Sequence, residues 1–281
     1  MGKFATSRSL ASASLDVLKK DKVLAAIPFA SAITSIVIVT LFSGVAYFSL
    51  EHVVNPAPGQ NEFSATPLTW AVGIVGLLIV TITAQFFAAT LVAGANERLD
   101  GGDPTLGSAM SKAFTRSRSI VGWSLLNATV GLILQQVREK AGVLGSVLAF
   151  LGGAAWNVAT WLVLPIIIVE GLGPIAAVKR SVALLKQTWG ENLIAQAGLG
   201  LVSALLMLPG IAVATLLMMA IPLLGISLML IWIFAIASII SALGAVYRTA
   251  LYRFAVGLPA GGAFTDAQLA AAFRAKNSRI G

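Results

Sequence analysis

Six long apolar runs, at about residues 23–50, 68–95, 120–137, 141–169, 193–220 and 225–254, alternate with short polar segments along the chain. Each run is unbroken over roughly 20 residues or more, enough to cross the ~30 Å hydrocarbon core of a bilayer as a helix, and none alternates at period two as barrel strands do. In hydrocarbon the backbone must satisfy its own polar groups, so the pattern predicts six spanning α-helices. A 28-residue helix is about 42 Å long at ~1.5 Å rise per residue, which leaves an excess for tilt and kinks. Thr66-Pro67 predicts a capped helix start. Pro165 should disturb the end of the fourth span, and Pro209-Gly210 should kink the fifth.

Amphipathic segments precede the odd-numbered spans. Residues 7–20 place Leu10, Val17 and Leu18 on one face; residues 104–118 place Leu106, Met110, Ala113 and Phe114; residues 174–187 place Ile175, Val178, Val182 and Leu185. Basic residues oppose them: Lys112, Arg116 and Arg118 in one, Lys179, Arg180 and Lys186 in another. That arrangement describes helices lying in the membrane interface. A unit of one surface helix plus two spans, used three times, fits the order of segments. The plainer reading is that any basic segment beside a membrane acquires this pattern. A fourth such stretch, residues 266–276, follows the last span.

Composition agrees with the pattern. The 281 residues are 58% hydrophobic and 11% charged, with a mean hydropathy of +0.91, whereas soluble domains carry roughly 25% charged residues. With no cysteine there is no disulfide framework or sulfur metal site. The formal charge of +8 would suggest nucleic acid in a soluble protein; flanking apolar spans, it points to anionic lipid headgroups instead. Of the 19 lysines and arginines, all but Arg138 and Lys140 fall on one side of the six-span arrangement. The positive-inside rule then puts both termini in the cytoplasm. The expected fold is an all-α polytopic bundle: residues 1–22 a cytoplasmic amphipathic segment, 23–256 the six-span domain, and 257–281 a cytoplasmic tail. The first span is too long for a signal-peptide core and should be retained.

Candidate chemistry is sparse. All 11 acidic residues fall at span ends or in loops, which argues against a pump working through a buried carboxylate. Gln85, Asn127, Asn157 and Gln196 lie within spans; they form either a polar pathway for a small solute or ordinary interhelical hydrogen bonds. Ala84 and Ala88, and Ala237, Ser241 and Ala245, form small-residue stripes that favour close helix packing. The turn Glu170-Gly-Leu-Gly-Pro opens a basic helix, where Glu170 could pair with Arg180 or Lys179. The single histidine, His52, cannot make a metal site alone. No nucleophile, base and orienting group share a face, so no catalytic set, cofactor or metal is expected.

The segment from Glu170 through Val178-Lys-Arg-Ser-Val to Trp189-Gly-Glu-Asn resembles a pattern in a broad group of bacterial and archaeal six-helix membrane proteins of uncharacterised function. That group is similar to the membrane domain accompanying some glycerophosphodiester phosphodiesterases, but the catalytic barrel of those enzymes is absent here. The resemblance implies the architecture and a prokaryotic cytoplasmic membrane. Two functions fit: a non-enzymatic accessory or scaffolding protein whose basic helices engage anionic lipid or a membrane-protein partner, or a permease or channel for a small neutral or weakly polar solute.

Overall fold

The computed structural model describes residues 22–54, 61–189, 207–215, 217–219, 221–259, 261 and 264. Helices α1 (Lys22–Phe48) and α2 (Pro67–Leu99) pack side by side and are joined through a small antiparallel hairpin, β1 (Glu51–Val54) and β2 (Asn61–Ser64). Then come the short α3 (Leu106–Thr115), the pair α4 (Ser117–Lys140) and α5 (Gly142–Ala159), the short continuation α6 (Val163–Val169), the surface helix α7 (Pro174–Trp189) and the long α8 (Pro222–Ala255). The fold is all-α as expected, and the hairpin is a local feature of the connection between α1 and α2. Its four-residue strands, with Val53 and Val54 on one and Phe63 on the other, are too short to show a period-two signal.

Among the described residues, five helices are long and apolar enough to cross a membrane: Val23–Phe48, Pro67–Leu99, Ser117–Lys140, Gly142–Val169 and Leu224–Ala255. The expected span at 193–220 falls mostly outside the described residues, and what is described of it is a shorter apolar helix, Met207–Met219. Pro209 and Gly210 lie in that helix, with Gly210 pressed against the ring of Trp232; the chain before Met207 lies outside the described residues, and with it the expected kink. So do the amphipathic stretches at 7–20 and 266–276. Large apolar side chains face outward along the spans, among them Phe48 (87% exposed), Val143 (85%) and Phe150 (74%). Outward faces of this size are stable where hydrocarbon, not water, covers them.

Local chemistry explains the helix ends. Thr66 accepts from the Thr69 amide and Thr69 accepts from the Thr66 amide, a capping box ahead of Pro67. Thr105 and Ser108 repeat that device at α3. The fourth span breaks at residues 160–162, where the hydrogen bonds tighten to Trp161 N–H on Val158 O and Val163 N–H on Thr160 O. Pro165 accounts for this, since its ring excludes the carbonyl of Trp161 and it has no N–H to offer. Three spans finish alike at one end of the bundle, at Asp100-Gly101, Glu170-Gly171 and Val256-Gly257, with glycine φ of 86°, 72° and 76°, and α4 finishes in the same way at Ala141-Gly142, with φ 55°. Only glycine adopts that left-handed conformation without a steric penalty, and it is the common helix terminator.

The buried core gathers at the end of the bundle where these three spans finish. Leu91, Val92, Ile166, Ile167, Val246 and Leu251 are among its members.

Candidate functional site at the basic end

The two described surface helices lie against this end, α3 through alanines and α7 through a mixed face of small residues and leucines. In α3 the buried positions are Ala109 and Ala113; in α7 they are Ala177, Ser181, Leu184 and Leu185. The bulkier residues of the expected apolar faces point away: Leu106 is 41% exposed, Phe114 60% and Ile175 63%. Ser181 has a particular task. Its hydroxyl accepts the Leu162 amide at 3.3 Å, serving a backbone donor at the break in the fourth span.

Below the surface helices the span ends are tied by charged groups. Tyr252 and Arg253, consecutive in α8, reach the carboxylates that precede two of the terminating glycines. Tyr252 donates its hydroxyl to Glu170 Oε1 at 3.0 Å, and the same oxygen accepts Arg180 Nε at 3.2 Å. Arg253, 3% exposed, pairs with Asp100 at 2.6 Å. Its Nη1 also donates to Asn96 Oδ1 and its Nε to the Pro259 carbonyl, both at 3.0 Å. Asn96 Nδ2 in turn donates to Asp100 at 3.1 Å. On the neighbouring loop Arg98 pairs with Asp103 at 2.6 Å, and the Ser108 hydroxyl donates to Glu97 at 2.9 Å. Four separate chain segments are thereby locked at one level.

Of the six basic residues singled out from sequence, Lys112, Arg118, Lys179 and Lys186 are exposed on this end. The other two are half-buried. Arg180 holds Glu170, choosing between the two partners that sequence left open, and the Arg116 guanidinium lies over the Cα of Gly171, where a Cβ would collide with it. Arg116 Nε is buried with no hydrogen-bond partner among the described residues. Tyr252, Arg253 and Asp100 were not singled out as a group. The signal that points to them is the recurring carboxylate–glycine pair at 100–101 and 170–171.

Three of the four polar span residues are described, and each has its own surroundings. Asn127 accepts the indole N–H of Trp156 at 2.9 Å, tying α4 to α5 beside the stacked rings of Trp123 and Trp156. Gln85 is half-buried in α2 and Asn157 exposed in α5; Gln196 lies outside the described residues. A partly open cavity of about 320 Å³ does exist, between α1, α2 and α8; among the described residues it is lined by Ser31, Ser35, Ser238 and Ser241 with Phe87 and Phe234, and not by Gln85, Asn127 or Asn157. The small-residue stripes are divided by it. Ala84, Ala88, Ala237 and Ser241 border the cavity, while Ala245 is packed in the core.

No curated protein matches the chain, and the likeness to the membrane domain of the phosphodiesterases finds no support in the comparisons. One family does match, over residues 69–262, which takes in α2 through α8 and the whole charged network at the basic end. The chain belongs to that family, described as a family of unknown function, DUF6159.

Proposed function

We propose that this protein is a non-enzymatic, multi-pass protein of a prokaryotic cytoplasmic membrane, whose basic end faces the cytoplasm and engages anionic lipid headgroups in an accessory or scaffolding role. The observation that carries this reading is the division of α3 and α7 into three faces. Ala109 and Ala113 dock α3 on the bundle, and Ala177, Ser181, Leu184 and Leu185 dock α7; large apolar residues such as Phe114 and Ile175 point outward, and Lys112, Lys179 and Lys186 stay exposed. A helix so divided sits with its apolar side in the acyl boundary and its cations among headgroups. Each lysine near an anionic surface contributes about 1 kcal/mol. The six-span topology and the threefold unit belong to this reading, supported by the five described membrane-length helices and by the surface helices α3 and α7.

The test is retention of anionic lipid. Purified protein should enrich phosphatidylglycerol over phosphatidylcholine from mixed nanodiscs, and a Lys112→Gln, Lys179→Gln, Lys186→Gln variant should lose most of that enrichment at an unchanged unfolding temperature. Equal retention of both lipids by the native chain would end the lipid part of the proposal and leave a protein partner for the basic surface. The permease reading has one observation in its favour, the serine-lined cavity, and a solute flux assay in proteoliposomes decides it.

A further inference from the structure

The cavity between α1, α2 and α8 has a feature that packing does not account for. Ser238 is only 5% exposed and lines the cavity, yet its hydroxyl has no hydrogen-bond partner among the described residues. Serine and threonine within spanning helices ordinarily return their hydroxyl proton to the carbonyl four residues back. In the same three helices Thr34, Thr81, Thr90 and Thr249 do so, at 2.8–2.9 Å. Ser31, Ser35 and Ser241, which share the cavity with Ser238, are likewise without a partner among the described residues. Ser238 is the buried member of the set, Ser31 and Ser35 are half-buried and Ser241 is exposed, and together the four hydroxyls place donors and acceptors around a common space.

That space is neither closed nor charged. The residues exposed at its border are Ala84, Ala237 and Ser241, so it opens between α2 and α8. Ser238 sits at the midpoint of the 34-residue α8, so the opening lies at the depth of the acyl chains. None of the lining residues is ionisable, which excludes a charged ligand on desolvation grounds. The wall is mostly apolar, with Ile27, Leu91 and two phenylalanines around the serines. At about 320 Å³ the volume is at the lower end for small-molecule sites.

We propose that this cavity is a binding site for a small uncharged amphipath, bearing a hydroxyl or carbonyl group on an apolar body, which enters from the bilayer between α2 and α8. Its polar group bonds Ser238 and the neighbouring serines, and its body lies against Phe87 and Phe234. The site is distinct from the basic end and does not depend on what the surface helices engage.

Photolabelling in nanodiscs tests it, with a diazirine analogue of n-octanol set against the corresponding diazirine alkane. The alcohol probe is expected on peptides containing residues 27–35, 84–91 or 234–241, with labelling suppressed by excess n-octanol. Ser238→Ala should cut that labelling about threefold or more, the worth of one hydrogen bond. Ala237→Phe, which fills the mouth, should abolish it, and the unfolding temperature of each variant shows that it is folded. Should Ser238→Ala fail to fold, Ser241→Ala at the rim takes its place. Equal labelling by alcohol and alkane, labelling confined to other faces, or labelling unchanged in the variants would each overturn the proposal; the first would show ordinary acyl-chain contact.

Discussion

Tyr252 donates its hydroxyl to Glu170 across 82 positions of the chain, joining the end of the last described span to the end of the fourth. Glu170 is half-buried and also holds Arg180, so the phenol completes the shell of a carboxylate that water only partly reaches. Tyr252→Phe keeps the ring and removes the bond. A hydrogen bond to a charged group contributes about 1.5–3 kcal/mol, and exposure of Glu170 should bring the loss to the lower end. The expected result is a lowered unfolding temperature in detergent or nanodiscs.

Arg253 makes a different demand. Its planar group serves Asp100, Asn96 and the Pro259 carbonyl at once, which a lysine ammonium cannot reproduce. Arg253→Lys therefore preserves the charge and should still cost roughly 1–3 kcal/mol. Denaturant titration of the reconstituted protein measures it. A loss as small as that of a conservative change at exposed Lys112 would mean that the three contacts contribute no stability.

Ser181→Ala probes the docking of α7. The variant leaves the Leu162 amide without its acceptor at a buried break in the fourth span, a penalty of about 1–3 kcal/mol. Hydrogen exchange over residues 158–166 should accelerate, and exchange in α7 with it. Acceleration restricted to α7 would show that the hydroxyl holds the surface helix without supporting the span.

How far the sequence foretells this molecule depends on what covers each residue. Spans are legible because hydropathy reports which residues avoid water, and helix starts are legible because Thr66-Pro67 carries its own capping chemistry. Hydropathy does not say whether lipid or protein provides the cover. In α7 the expected face of Ile175, Val178, Val182 and Leu185 is rotated from the buried one of Ala177, Ser181, Leu184 and Leu185, with only Leu185 common to both. The basic residues of the candidate surface were readable by count, but the use of Arg180 in an ion pair depends on Glu170 lying one turn of chain away in space. Tyr252 and Arg253 were hidden for a similar reason: their partners are set by topology, not by local pattern. The cavity was missed because alanine and serine stripes read as close contact, whereas here three helices meet around them and leave room.

The orientation of the basic end carries the rest of the account, and the absence of native cysteine makes it directly measurable. Single Lys140→Cys and Lys186→Cys variants, placed at opposite ends of the bundle, are treated with a membrane-impermeant maleimide in intact bacterial cells and again after lysis. The account predicts that Lys140→Cys is labelled before lysis and Lys186→Cys only after it; labelling of Lys186→Cys in intact cells would contradict it.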